Sequence, residues 1–318
     1  MIDILLATYE GERFIREQIE SILVQTYQDW NLYISDDGST DTTLNIIDEY
    51  MRFDDRIHLL KHEKPFGSAS RNFMYLLRHS TAPYCMFSDQ DDVWLPNKVE
   101  VTLRRMKELE EEHGASVPLM VFTDMAVVNS DLEILHPSFE RQMNIDPTRC
   151  DLMQLMAAPV AAGCTIMINQ PLREKTLETP IDQPMRMHDW WISMVAGAFG
   201  RIGHVDEITS LYRQHDSNSV GSASFTMVGT LRAYKTAYTS ILRLIKLARS
   251  FSEVYYDQLS QSDQRKISAL ISVYDVPRVL RIPRMIEGHA WKRGALRKAG
   301  EAIILFFMQM EDYPLGDK

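Results

Sequence analysis

The sequence predicts an α/β fold: a large domain on a mainly parallel sheet flanked by helices, residues 1–221, and a helical C-terminal extension, residues 222–318. Two observations predict it. Short apolar runs alternate with helix-period patterns from Ile2 to Thr123, which implies parallel strands joined by right-handed crossovers. After Ser222 the strand signals stop and apolar residues recur only at helical spacing, with basic residues between them.

The elements follow in order. Ile2 to Ala7 reads as a buried strand, and Thr8-Tyr9-Glu10-Gly11-Glu12 as a turn. Phe14, Ile15, Ile19, Ile22 and Leu23 mark the next helix. Trp30 to Ser35 is a second strand, ending in Asp36-Asp37-Gly38-Ser39-Thr40-Asp41. Ser39 or Asp41 can cap the helix that carries Leu44, Ile47, Tyr50 and Met51. Arg56 to Lys61 is a third strand, and residues 67–72 open a helix with Phe73, Leu76 and Leu77 inward. Tyr84 to Ser88 is the fourth strand. Pro96 suits the first turn of a charged helix reaching Glu112, and Leu119 to Thr123 is a fifth strand.

In a parallel sheet, polar residues that follow different strands fall on one edge, where open α/β sheets hold ligands. Thr8, then Asp36 and Asp37, then Asp89, Asp91 and Asp92 are such residues. The edge can hold a base and ribose at the first two clusters and a metal-bound diphosphate at the third. Oxygen ligands in a short loop suit Mg²⁺ or Mn²⁺. Each cluster alone is more often a solvated turn or helix cap, and their shared edge is the stronger argument. Arg71, in the first turn of a helix, faces the positive end of the dipole, which an anion nearby would offset. An ion pair to Asp36 or Asp37 is the other reading.

Composition narrows the classes. The chain has 318 residues, 45% hydrophobic, and a formal net charge of -10, which argues against nucleic acid as a partner. Cys85, Cys150 and Cys164 show neither disulfide nor metal-ligand spacing, as in a reducing compartment. The N-terminus lacks a basic n-region, so no signal peptide is expected. No uncharged apolar stretch is long enough to span a bilayer, the Ala302 to Met308 run included.

Four motifs in order carry a resemblance: residues 7–12, residues 35–41, Ser70-Arg71-Asn72, and Asp89-Gln90-Asp91-Asp92-Val93-Trp94. From Met1 to about Gly221 the chain resembles the inverting nucleotide-sugar glycosyltransferases of family 2, with the GT-A fold. The last motif is most similar to the bacterial rhamnosyltransferase subgroup that builds cell-surface polysaccharides. The resemblance implies that Thr8, Asp37 and Arg71 contact the nucleotide, with Tyr9, Glu10 and Asp36 in the same donor site. It places Asp89 by the ribose or sugar and Asp91 on the metal, with Asp36 and Asp92 as supports.

The second half carries the acceptor side. Pro159 to Asn169 is small-rich around Gly163-Cys164-Thr165, which suits close approach of another group or a plain buried strand, the latter preferred for Cys164. Asp189, in His188-Asp189-Trp190-Trp191, suits a helix N-terminus as a cap. Its functional reading is the general base that an inverting displacement needs opposite the leaving diphosphate. By resemblance an acid here has that role. Many members carry Glu-Asp where this chain has His188-Asp189, and the second position is intact. Trp94, Gly163, Cys164, Thr165, Trp190 and Trp191 are acceptor-binding candidates, with Trp190 and Trp191 as a sugar-stacking wall of which one is assigned to the core. In Tyr212-Arg213-Gln214-His215-Asp216-Ser217-Asn218-Ser219, the resemblance makes Arg213 a phosphate holder and His215 a ligand reaching back to Asp91. A structural His is the alternative. A His ligand makes Mn²⁺ more acceptable without excluding Mg²⁺.

Beyond Ser222, Leu231, Tyr234, Ala237, Tyr238, Ile241, Leu242, Ile245 and Ala248 mark a long helix interleaved with Arg232, Lys235, Arg243, Lys246 and Arg249. A second basic region runs from Arg278 to Lys298. Basic amphipathic helices suit an anionic membrane surface. A helical cap or a homodimer interface is the alternative. The expected function is transfer of a hexose, L-rhamnose from dTDP-β-L-rhamnose, to a hydroxyl of a growing cell-surface or lipid-linked glycan. Glucosyl, galactosyl or N-acetylhexosaminyl transfer from a UDP-sugar is the rival, and a non-catalytic sugar-nucleotide-binding scaffold the rival of another class. The expected location is the cytoplasm, with peripheral contact at the inner face of the cell membrane.

Overall fold

A computed structural model describes residues 1–215, 230–291 and 295–307, with side chains described outside 230–237, 295–299 and 307. The expected boundary at residues 221 and 222 lies outside the described residues, as do Asp216, Ser217, Asn218, Ser219 and the side chains of Leu231, Arg232, Tyr234, Lys235, Ala237 and Lys298. The chain forms two compact units. One comprises Met1–Thr148 and Val160–Ser222, the other Arg149–Pro159 and Ala223–Lys318.

The first unit runs β1 (Ile2–Thr8), α1 (Ile15–Leu23), β2 (Trp30–Asp36), α2 (Thr43–Met51), β3 (Ile57–Leu59), α3 (Ala69–His79), β4 (Tyr84–Asp89) and β5 (Val93–Trp94). It continues with α4 (Lys98–His113), β6 (Leu119–Val128), β7 (Ile134–His136) and α5 (Phe139–Met143). Here α6 (Leu152–Ala157) leaves for the second unit. A 3-10 turn at Gly163–Thr165 then leads into β8 (Ile166–Asn169), α7 (Gln170–Thr176), α8 (His188–Phe199) and β9 (Arg201–Arg213).

The sheet order is β3-β2-β1-β4-β8-β6-β9-β5, with β7 on β6. β1 pairs parallel with β2 and β4, β2 with β3, and β6 with β9. β8 lies antiparallel between β4 and β6, so β6 and β9 keep the direction of the first four. The sheet is thus mixed, with β5, β7 and β8 opposed to the rest. Thr8 pairs with Asp36 and Ala7 with Asp89, which sets the carboxyl ends of β1, β2 and β4 level. β9 ends on the same edge at Arg213. Beneath lies a core in which Ile4 and Leu6 of β1 meet Ile15, Ile19 and Ile22 of α1 and Leu32 and Ile34 of β2. Every residue of β6 is buried, as expected of a strand covered on both faces.

The second unit is helical: α6, α9 (Thr230–Tyr255), α10 (Gln261–Ser272), α11 (Arg278–Glu287) and α12 (Ala295–Phe307). α6 packs on α9 and α10, and α12 on α9 and α11. Leu155, Ile245, Phe251, Ile267, Leu270 and Leu305 are all fully buried there. Among the described residues no helix is long and apolar enough to cross a membrane.

Candidate active site

The turns after β1 and β2 brace each other. Glu10, at φ 49, presents its amide to Ser39 Oγ at 2.8 Å. Its carboxylate accepts from Thr40 N at 2.8 Å and Thr40 Oγ1 at 2.9 Å. Glu12 accepts from Thr42 in the same way, and Asp41 accepts from the amides of Glu12 and Thr43. Asp41 rather than Ser39 therefore serves the start of α2. Asp36 accepts from Gly38 N and Ser39 N at 3.1 and 2.8 Å, closing its own turn. Asp37 accepts from the amides of Phe66 and Ser68. Both acids are spent on backbone, so the ion pair from Arg71 to either is not what is found. Arg71 is exposed and lines a cleft of about 280 Å³ with residues 66–68, Ser70 and residues 183–185. Tyr9 is 58% exposed, whereas the hydroxyl of Thr8, 3% exposed, donates to Gln90 Oε1 at 2.5 Å.

At the end of β4 the acids diverge in environment. Asp89 and Asp91 are half-buried, and Asp92 is fully buried. Burial, with the charges of Asp92, Asp91 and Asp189, raises the Asp89 carboxyl well above the usual range. Burial, then Asp91, pushes Asp92 up to about 7. Its Oδ1 accepts from Arg213 N at 3.2 Å. Lys98, also fully buried, donates to Thr209 Oγ1 at 3.0 Å, and burial lowers it to about 8.

The end of β9 returns to this loop. His215 Nε2 lies 2.9 Å from Asp91 Oδ2, with its ring on Phe14 at 4.8 Å. Arg213 is 1% exposed and bonds Asp91 O at 2.9 Å, Ser130 O and Glu17 Oε2. The phosphate-holding role expected for Arg213 does not fit: its donors are turned into the protein, where they hold the acidic loop.

Asp189 sits in the first turn of α8. Its Oδ2 accepts from Gly163 N at 2.9 Å and its Oδ1 from Trp190 N at 2.7 Å. Burial raises it to about 6. Gly163 thus serves Asp189 through its amide, and a Cβ there would lie 3.0 Å from His188 Nε2. Cys164 and Thr165 are each 2% exposed, and Trp94 and Trp191 each 1%. An acceptor contact from these four is corrected: burial withdraws them. Trp94 lies in the core under β1, and Trp191 Nε1 donates to Thr179 Oγ1 at 2.9 Å. Trp190 remains half-buried, with Arg186 over its ring at 4.9 Å. His188 is buried, stacked on Phe73 at 3.9 Å, and lowered by burial to about 3, hence neutral.

Among the described residues, two arrangements could hold a cation. Asp89, Asp92 and Cys164 bring possible ligand atoms within 4.8 Å of one another. Asp91 and His215 form the other. Thiolate is a soft ligand, and both Asp92 and Cys164 are buried. Carboxylate with imidazole is the better set for Mn²⁺, with Asp89 beside it. Sequence reasoning missed Glu17, Lys98 and Gln90. Gln90 alone left a signal, as an amide between two acids.

The sequence profile described as "Glycosyl transferase family 2" matches residues 3–175. The chain belongs to that family. This glycosyltransferase is 30% identical over 246 residues to the dTDP-rhamnosyl transferase RfbG of Shigella flexneri, covering 71% of this chain and 79% of that one. Its fold matches S. aureus TarS in complex with UDP-GlcNAc, with TM-score 0.53, 14% identity, and coverage of 96% and 89%. It also matches the mannosyltransferase PcManGT of Pyrobaculum calidifontis in complex with GDP-Man and Mn²⁺, with TM-score 0.52, 16% identity, and coverage of 96% and 80%. The GT-A expectation holds, with the helical C-terminal region as a further part.

Proposed function

We propose that this glycosyltransferase moves L-rhamnose, with inversion, from dTDP-β-L-rhamnose to a hydroxyl of a growing cell-surface polysaccharide or lipid-linked glycan. The likeness to the dTDP-rhamnosyl transferase supports the donor. The observation that carries the chemistry is Asp189: a carboxylate held by two amides, raised to about 6, whose charge is felt by Asp89 in the acidic loop. A general base works best when its pKa lies near the working pH, ionised yet basic enough to take a hydroxyl proton. Asp189 takes the acceptor's proton as its oxygen attacks the sugar.

Thr8, Tyr9, Glu10, Asp36, Asp37 and Arg71 form the nucleotide side. Tyr9 and Arg71 offer exposed groups to the ligand, while Glu10, Asp36 and Asp37 hold the turns that shape it. Asp91 and His215, with Asp89 beside them, would hold Mn²⁺ or Mg²⁺. The cation supplies Lewis-acid help to the departing diphosphate when bound. Contact with anionic lipid through the helical unit would bring the enzyme to a lipid-linked acceptor.

Asp189→Asn is the test. Turnover should fall on the order of 10²–10⁴-fold, with dTDP affinity by calorimetry near that of the wild type. Surviving turnover would return Asp189 to a capping role. A thermal-shift comparison of dTDP with UDP, each with Mn²⁺, decides the nucleotide, since a ligand of the native state raises Tm.

A further inference from the structure

We propose that Gln90, although it stands inside the acidic loop, is a positioning residue for the nucleoside end of the donor; this rests on the donor-site reading above. Its carboxamide reaches away from its acidic neighbours to the turn after β1. Oε1 accepts from Tyr9 N at 2.9 Å as well as from Thr8 Oγ1 at 2.5 Å, and Nε2 donates to Tyr9 O at 3.0 Å. The parallel ladder between β1 and β4 ends at Ala7 and Asp89. The Gln90 side chain carries the pairing on to Tyr9, two residues beyond Ala7, bonding both of its backbone groups as a further strand residue would.

Three features follow from that pin. Tyr9 is held with its ring 58% exposed at the carboxyl edge, where a base or ribose can pack against it. The hydroxyl of Thr8 is turned inward to Gln90, so Thr8 acts through the turn rather than on the ligand. Gly11 must lack a side chain: a Cβ there would lie 2.4 Å from Gln90 Oε1 and 2.8 Å from Thr8 Oγ1. Only an amide of this length meets all three demands. Glutamate could not donate to Tyr9 O, and asparagine is a methylene short.

The test uses dTDP and UDP as probes, titrated by calorimetry with and without Mn²⁺, and Mn²⁺ alone followed by electron paramagnetic resonance. Gln90→Met keeps the volume and removes the amide. It should weaken nucleotide binding about tenfold, the effect of losing one or two hydrogen bonds. The loss should be equal with and without Mn²⁺, and Mn²⁺ binding alone should be unchanged. Tm falls modestly because Thr8 loses its acceptor, so affinity at a temperature where the variant is folded is the deciding readout. Gly11→Ala leaves Gln90 chemically intact but displaces its amide, and should give the same loss. The double variant Gly11→Ala/Gln90→Met should be no worse than either single, since both remove one interaction. An affinity loss seen only with Mn²⁺, unchanged affinity, or additive losses would overturn the inference. A wild-type protein that binds neither nucleotide would overturn the donor-site reading and this inference with it.

Discussion

Asp189 has an environment that sets both its reactivity and its cost. Its native pKa of about 6 lies above the roughly 3.9 of an unfolded aspartate, so the native state binds more protons between those values. Stability from this group is therefore present below about 3.9 and lost as pH rises through about 6. Asp189→Asn removes that cost and keeps one oxygen for the Gly163 amide. Its Tm should equal or exceed the wild-type value at pH 7.5, and the difference should shrink toward pH 4. The wild-type rate should fall with unit slope as pH drops below about 6, where the base is protonated. A rate flat down to pH 5 in a pH-rate profile would remove Asp189 as the base. On the proposed reading Asp91 would act through a bound cation instead. Asp91→Ala should abolish transfer and the Mn²⁺-dependent part of dTDP affinity while the fold persists. Mn²⁺-dependent binding left intact in calorimetry would overturn that assignment.

Elements place these residues, and α8 shows how. Its first turn holds Asp189, and its end is fixed by Gly200, where a Cβ would lie 1.8 Å from Pro118 O. Arg201 N donates to the same carbonyl at 3.0 Å, starting β9 against β6. Gly200→Ala must push backbone from backbone, and should cost about 1–3 kcal/mol as overpacking does. A denaturation midpoint equal to wild type would contradict this. The first half of the sheet was legible because β1, β2 and β4 are apolar runs ending in polar turns. β9 was legible only near its end, because its thirteen residues mix buried and exposed positions without alternation. The apolar segment from Pro159 to Asn169 hid a 3-10 turn before its strand. Trp94 reads as a ligand contact beside an acidic motif, yet β5 pairs with β9 and buries it, a contact between distant parts of the chain. Arg213 was misread for the same reason: its partners Glu17 and Ser130 lie 196 and 83 residues away. His215 beside Asp91 was legible only through the family motif.

The molecule as a whole carries a net charge of -10, yet residues 278–298 hold seven lysines and arginines against Glu287 alone. α11 within this stretch leaves part of its apolar surface exposed. Arg281 and Met285 are buried, while Val279, Leu280 and Ile286 are 69%, 46% and 56% exposed. On α12, Glu301 is buried and Ile303 and Phe306 are 59% and 43% exposed. Exposed apolar side chains grouped on neighbouring turns are the mark of an interaction surface. We propose that it docks on an anionic bilayer, since Arg278 and Arg284 of α11 are exposed and each cation near the headgroups contributes about 1 kcal/mol. Val279→Asp/Ile286→Asp places two anions on the exposed face and touches nothing in the core, so Tm should hold. Wild-type protein should co-sediment with vesicles containing phosphatidylglycerol, less so as salt rises, and little with phosphatidylcholine alone. The double variant should stay in the supernatant. Binding indifferent to lipid charge and salt would exclude the bilayer, and a dimer by light scattering that the variant splits would give this face to a second copy instead.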